Sequence, residues 1–236
     1  SLIKPFLYLA IFHAKHISLY TAKPMQSKPK INFKAMNEIF EQYGQDPIKL
    51  CQNWLAEAEK TELNDPEAVN LATATPDGKP SNRWVLVKAI NEKGFKFHTN
   101  ADGRKGRELA QNPYASMNFY WKSTRKQIRI EGRVEMVDAS EADDYFETRS
   151  IERQIGAWAS KQSTPFNKWE ELEASVKKYE EEFAGTDNIP RPPYWNGYRL
   201  IPSTIEFWIA QKDRLHTRFI YSKQDDGSWD ATWLCP

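Results

Sequence analysis

The sequence has few of the residues that mark disulfide-rich or metal-binding proteins. Its 236 residues include two cysteines, Cys51 and Cys235, and four histidines, and neither set falls at a spacing typical of a metal or redox site. We therefore predict free thiols in a reducing compartment such as the cytoplasm, and no metal. A P-loop, a Gly-x-Ser-x-Gly elbow and a recognisable pair of catalytic carboxylates are missing too, so hydrolysis has no candidate nucleophile.

A strong excess of one charge and a membrane-length apolar run are also missing. The net charge is +1, which gives no reason to expect a nucleic-acid partner. The apolar run at residues 5–12 is too short to span a bilayer, and no longer one follows it. Residues 1–37 carry six lysines and no acidic residue. For this stretch a targeting segment, mitochondrial or other, and a tail ahead of the folded part both stay open.

Apolar periodicity and turn residues predict a mainly β protein with helical additions. Asp46 and Pro47 are suited to the N-cap and first position of a helix, so we predict an N-terminal extension over 1–45 and one domain over 46–236. Short strands interleaved with helices favour an antiparallel barrel. The predicted strands are 68–75, 83–90, 95–99, 114–121, 127–137, 205–210, 219–223 and 229–234, and the later helices are 102–112, 140–149 and 167–183.

Two cations occupy the first turn of the helix predicted at 102–112. Arg104 and Lys105 follow Gly103 at the end of a helix that disfavours positive charge. An anion bound between them and the helix N-terminus would remove that cost, so a phosphate site is one interpretation. A solvated charged turn is the other.

A second group of cations comes from two later segments. Arg149 follows Tyr145 by four residues and is placed on the same helix face, with Arg153 close behind. Arg214, His216 and Arg218 alternate, so an extended segment would put them on one face. A second anion site and a surface of ion pairs both fit this pattern. Two phosphate-sized cationic sites would suit a phosphorylated cofactor beside a phosphorylated substrate.

Seven ordered stretches of the sequence form a specific pattern. They are R-W-V-L-V-K at 83–88, T-N-A-D-G-R-K-G-R-E-L at 99–109, F-Y-W-K-S-T-R-K-Q-I-R-I-E-G at 119–132, Y-F-E-T-R at 145–149, Q-I-G-A-W-A-S-K-Q-S at 154–163, E-F-W at 206–208 and R-L-H-T-R at 214–218. Together they resemble the motifs of one known family, the pyridoxine/pyridoxamine 5'-phosphate oxidases. The resemblance covers residues 46–236, about four fifths of the chain.

The resemblance implies a split β-barrel that binds FMN at a homodimer interface. The implied cofactor contacts are Arg83, Trp84, Val85, Leu86, Val87, Lys88, His98, Thr99, Arg104, Lys105, Gln127, Gln162, Ser163, Trp208 and Arg218. The implied substrate contacts are Lys88, Tyr145, Arg149, Arg153, Arg214, Leu215 and His216, with Arg214 and His216 also catalytic. The implied reaction is oxidation of pyridoxamine 5'-phosphate or pyridoxine 5'-phosphate to pyridoxal 5'-phosphate, with oxygen as acceptor and hydrogen peroxide formed.

Two substitutions depart from the family pattern on the substrate side. Arg153 stands where the family usually has serine, and it either adds a cation for the substrate phosphate or fills the pocket. Thr217 stands where the family usually has aspartate. Two alternatives therefore stay open: a flavin oxidoreductase of the same fold with another substrate, and a non-catalytic carrier of FMN or pyridoxal 5'-phosphate.

Overall fold

The computed structural model describes residues 46–186 and 188–236, so the extension predicted over 1–45 and its targeting interpretation lie outside the described residues. The helices are α1 Pro47–Ala58, α2 Arg104–Gln111, α3 Ala139–Glu147, α4 Ile151–Ala159 and α5 Trp169–Glu182. The strands are β1 Ala68–Ala74, β2 Pro80–Asn91, β3 Gly94–Asn100, β4 Tyr114–Trp121, β5 Lys126–Met136, β6 Trp195–Ile209, β7 Thr217–Lys223 and β8 Trp229–Trp233. None of the helices within these ranges is long and apolar enough to cross a membrane.

The strands form one antiparallel sheet that closes on itself. Their order is β3-β2-β1-β4-β5-β6-β7-β8, and an additional pairing joins β3 to β6. Six strands therefore make a barrel, while β7 and β8 extend the sheet beyond β6. This architecture confirms the predicted mainly β, split-barrel fold with helical additions.

Helix α1 supplies part of the barrel core. Its start is fixed as predicted, because the Asp46 carboxylate accepts a hydrogen bond of 2.9 Å from the Lys49 backbone N–H and Pro47 occupies the first turn. The buried face of the helix includes Leu50 and Trp54. Trp54 meets Phe207 of β6 edge-to-face, with 5.0 Å between ring centroids, so the helix is locked against the sheet.

Strand β6 is much longer than the prediction of 205–210. Its first part pairs with β3, its last part with β7, and β5 runs beside nearly all of it. The added length includes Pro202, and proline cannot donate a hydrogen bond to a ladder. The structure places Pro202 opposite Gly132, where the register shifts between Glu131 and Gly132, so an irregularity in the ladder accommodates it.

Two local predictions about cations were wrong. Helix α3 ends at Glu147, so Arg149 lies in the connection to α4 and does not continue the helix of Tyr145. A 3₁₀ turn occupies Lys212–Arg214, Arg214 has φ +61°, and β7 begins only at Thr217. The residues from Arg214 to Arg218 therefore do not form one extended face.

The close approach of β5 and β6 at the irregularity gives a test of the fold. A Cβ added at Gly132 would collide with the backbone carbonyl of Ile201. We expect Gly132→Ala to lower the free energy of unfolding by about 1–3 kcal/mol, the usual cost of overpacking. Urea unfolding measures it. Gly156→Ala in α4 is the matched control, because its added methyl group meets no described atom within 4 Å outside the local backbone of its own helix and alanine favours a helix by up to about 1 kcal/mol. Equal stability of Gly132→Ala and the parent would contradict this packing.

Candidate functional site

A cavity of about 400 Å³ collects many of the predicted site residues. Strands β2, β3 and the start of β6 form its walls, together with α2, α3, α4 and the segment after α4. The predicted residues that line it are Trp84, Val85, Leu86, Lys88, His98, Thr99, Lys105, Tyr145, Arg149, Arg153 and Gln162. Asn100 and Trp195 line it as well and were missed. Asn100 directly follows the predicted Thr99, whereas Trp195 depends on the unpredicted half of β6.

Lys105 is the buried cation of the cavity. Its Nζ donates to Thr99 Oγ1 at 2.9 Å and to Gln162 Oε1 at 2.7 Å. Burial, followed by the charge of Arg83, lowers the pKa of Lys105 to about 8. A bound anion would stabilise the charged ammonium, so this environment fits a phosphate group. Gln162 thus has a structural role as the side chain that orients Lys105.

Glu108 of α2 holds two further cations behind Lys105, and the sequence analysis missed it. Its Oε1 accepts from Arg104 Nε at 2.9 Å, and its Oε2 lies 3.4 Å from Arg83 Nη2. The same Oε2 accepts from the hydroxyl groups of Thr73 and Ser81. Although burial acts to raise it, these hydrogen bonds lower the pKa of Glu108 to about 2. Glu108 therefore stays charged and fixes both arginines.

Three aromatic rings line one wall in parallel. His98 stacks on Tyr145 at 4.0 Å and on Trp195 at 5.1 Å between ring centroids. Both His98 nitrogens are buried, and no group in the described part of the chain forms a hydrogen bond with either. Burial, followed by the charge of Lys96, lowers the pKa of His98 to about 4, so the ring is neutral at pH 7.

Arg149 lies beside this wall, with its guanidinium carbon 4.9 Å from the centroid of Trp195. Within residues 46–186 and 188–236 it has no acidic partner, and its buried Nη1 has no hydrogen-bond partner. Burial is the main cause that lowers the pKa of Arg149. Arg153 lines the same cavity but is exposed, so it does not fill the pocket.

A second group of predicted residues lies on neighbouring strands elsewhere in the sheet. Gln127 of β5 and Arg218 of β7 are both paired with Trp208 of β6, so the three side chains share one face. The His216 ring is 4.6 Å from Trp208. Arg218 Nε donates to Glu206 Oε1 at 2.8 Å, and Arg218 Nη1 donates to the Cys235 carbonyl at 2.9 Å.

The two groups lie near opposite ends of β6. Trp195 of the cavity begins the strand and Trp208 of the second group lies near its end. At about 3.3 Å per residue, roughly 40 Å of strand separates them. The residues of the second group do not line the cavity. One chain therefore does not bring all the predicted residues together.

Six other predicted residues also lie away from the cavity. Arg83 and Arg104 are held by Glu108 behind Lys105, and the Val87 side chain belongs to the barrel core. Ser163 lines a neighbouring cavity of about 430 Å³ and has φ +66°. The remaining two, Arg214 and the exposed Leu215, lie at and just after the 3₁₀ turn. No group of His, Cys, Asp and Glu side chains in residues 46–186 and 188–236 could hold a metal ion.

Comparison with known proteins gives consistent matches over the described domain. Residues 55–182 match the family model for pyridoxamine 5'-phosphate oxidase, and residues 195–236 match the pyridoxine 5'-phosphate oxidase C-terminal dimerisation region. A pyridoxine/pyridoxamine 5'-phosphate oxidase of Sphingopyxis alaskensis is 50% identical over 191 residues, which cover 81% of this chain and 88% of that protein. One of Pelagibacter ubique is 47% identical, with 81% and 92% covered.

Solved structures show the same architecture. PhzG from Burkholderia lata 383, in complex with tetrahydrophenazine-1-carboxylic acid, has a TM-score of 0.77 and 37% identity, covering 84% of this chain and 96% of that one. A related FMN-binding protein of Nostoc punctiforme has a TM-score of 0.65 at 18% identity, covering 80% and 98%, which supports the fold alone. The fold is thus that of the split-barrel oxidoreductases. Within that class, the chain belongs to the pyridoxamine 5'-phosphate oxidase family.

The Glu108 cluster predicts a pH dependence of stability. The folded pKa of about 2 lies below the ordinary 4.5, so ionised Glu108 stabilises the fold above about pH 4.5, and this contribution is lost as the pH falls toward 2. We expect Glu108→Gln to lower the free energy of unfolding at neutral pH by about 3 kcal/mol, and to flatten its decline between about pH 5 and pH 3.

Urea unfolding midpoints across that pH range measure the effect. Glu131→Gln on the exposed face of β5 is the matched control and should follow the parent profile. A Glu108→Gln profile parallel to that of the parent would contradict the assignment of acid sensitivity to this carboxylate.

Proposed function

We propose that the protein oxidises pyridoxamine 5'-phosphate or pyridoxine 5'-phosphate to pyridoxal 5'-phosphate with FMN and oxygen. The single observation that carries the proposal is one cavity with two cationic groups, in a chain of this family. One group contains the buried Lys105, and the other contains Arg149, which no acidic side chain of the described residues pairs with. Two phosphorylated molecules bound side by side would each place a phosphate at one of these cationic groups.

FMN fits the group around Lys105. Its phosphate would be held by Lys105, with Arg83 and Arg104 oriented behind it by Glu108. The exposed apolar side chains of Trp84 and Leu86 would cover the ring. When bound, FMN would supply the redox chemistry, in which a hydride leaves the substrate C4' carbon and its electrons reach oxygen to give hydrogen peroxide. For the amine substrate, water would supply the aldehyde oxygen and the nitrogen would leave as ammonia.

The substrate would occupy the part of the cavity that Arg149 and Arg153 line. Tyr145, Arg149 and Arg153 line the cavity where its phosphate would bind, and Lys88 lines the same cavity. Neutral His98, stacked on Tyr145, adds a flat surface and no charge. A hydride step requires no obligatory acid–base residue, in keeping with the missing carboxylate pair. The protein would contribute orientation and electrostatics.

The residues at the far end of β6 would come from a second copy of the chain. Gln127, Trp208 and Arg218 would complete the flavin site, and Arg214 and His216 would lie against the substrate ring. A homodimer resolves the separation along β6, because the far end of one subunit can meet the cavity of the other. The match of residues 195–236 to a dimerisation region supports this arrangement. Residues 46–236 would act as one domain.

Flavin absorbance tests the function directly. We expect pyridoxamine 5'-phosphate, added without oxygen to FMN-loaded protein, to bleach the visible flavin band. Air should restore the band and yield peroxide and pyridoxal 5'-phosphate. Unphosphorylated pyridoxamine at equal concentration is the control, and it should bleach far more slowly because Arg149 then has no phosphate to bind.

A flavin that stays oxidised with both phosphorylated substrates would contradict the proposal. If another organic compound then reduced the bound flavin, the protein would be an oxidoreductase with a different substrate. Bound flavin that no organic substrate reduces would favour a carrier.

A further inference from the structure

The three cations near Tyr145 are not equivalent. Lys88, Arg149 and Arg153 all line the cavity, but among the residues that the structure describes an acidic side chain pairs with Lys88 alone. Its Nζ donates to Glu67 Oε1 at 3.0 Å, and both side chains are about three quarters buried, with relative exposures of 26% and 28%. Glu67 directly precedes β1 and lines a neighbouring cavity that Lys88 also lines. The ammonium is thus turned toward a carboxylate of its own chain.

Arg149 and Arg153 present positive charge that no carboxylate neutralises. No acidic side chain in the described ranges forms an ion pair with either of them, and Arg149 Nη1 is buried with no hydrogen-bond partner at all. The Arg149 guanidinium is held in place by Trp195 and Phe146, at 4.9 and 5.4 Å from the ring centroids. Two adjacent like charges without a counterion repel each other, and a shared anion would remove that repulsion.

We propose that Glu67 withholds Lys88 from the substrate phosphate and that Arg153 takes its place, so that the guanidinium pair of Arg149 and Arg153 holds the anion. This inference rests on the proposed function and names its specificity-determining residues. Guanidinium groups bind phosphate oxygens in bidentate geometry, which an ammonium does not. A pair with two uncompensated charges matches a phosphate monoester dianion better than a carboxylate, so the preferred substrate class is phosphorylated.

Three variants of the FMN-loaded protein test the exchange of roles. Arg153→Ser should raise the KM for pyridoxamine 5'-phosphate roughly 10- to 100-fold with little change in kcat, because one charge-assisted contact is lost from substrate and transition state alike. Adding Glu67→Gln to Arg153→Ser should recover most of that loss, since Lys88 is then released to the anion. Glu67→Gln alone should lower the KM.

Calorimetric titration with inorganic phosphate gives a readout that does not need turnover. FMN occupies the flavin phosphate site in these samples, so the titration reports the substrate side. The Kd for phosphate should follow the same order as the KM values. Glu62→Gln in the Arg153→Ser background is the matched control. The substitution removes the same charge as Glu67→Gln, but Glu62 accepts hydrogen bonds from Ser123, away from the cavity. It should restore nothing.

The outcomes separate this inference from the function on which it rests. Parent protein that binds phosphate but never reduces its flavin would refute the proposed function, and the phosphate titrations would still decide which cations hold the anion. If Arg153→Ser keeps KM and Kd within about twofold of the parent values, Arg153 does not bind the phosphate. It is then a solvated surface charge. A loss that Glu67→Gln does not recover, or that Glu62→Gln recovers equally, would overturn the role of Glu67.

Discussion

The antiparallel ladder between β3 and β6 is the interaction on which the rest of the structure depends. It closes six strands into a barrel and pairs His98 with Gly197 and Asn100 with Trp195. The same pairings therefore build the aromatic wall of the cavity. Gly197 permits this approach, because a Cβ there would come within 3.2 Å of the His98 ring and closer still to Val137. Because β6 continues roughly 40 Å from Trp195 to the second group of residues, closing the barrel also divides the candidate site between its two ends.

Carboxylates decide which cations are free to bind a ligand. Glu108 fixes Arg83 and Arg104, and Glu206 fixes Arg218 together with Arg129. These acids orient cations before any ligand arrives, which lowers the cost of ordering them on binding. Glu67 has the opposite effect on Lys88, since it occupies the ammonium. The uncompensated charge then lies at Arg149 and Arg153, and the chemistry of the cavity follows from this distribution more than from its volume.

Local signals in the sequence predicted most elements, whereas most of the implied residues that line the cavity came from the family resemblance. Asp46 and Pro47 determined the start of α1, and alternation determined β5. The first half of β6 was missed; it includes Pro202, which cannot donate to a ladder and which the irregularity opposite Gly132 accommodates. Glu108 was missed although its pair with Arg104 has the local i,i+4 spacing, because its other partners, Thr73, Ser81 and Arg83, come from strands much earlier in the chain. Glu67 was missed because its partner Lys88 lies 21 residues later, on the neighbouring strand. The division of the site along β6 is likewise a property of the sheet and not of any motif.

Subunit complementation tests the shared site most directly. Arg149→Ala removes a side chain that lines the cavity, and His216→Ala removes one at the other end of β6. Each variant alone should be nearly inactive. A hybrid dimer of the two, purified through two different tags, has one site with both changes and one with neither, so we predict about half of the parent activity. The reciprocal hybrid, parent paired with the double variant, should be nearly inactive, because each of its sites then carries one change. An inactive first hybrid with a half-active reciprocal one would contradict the account and place each whole site within a single chain.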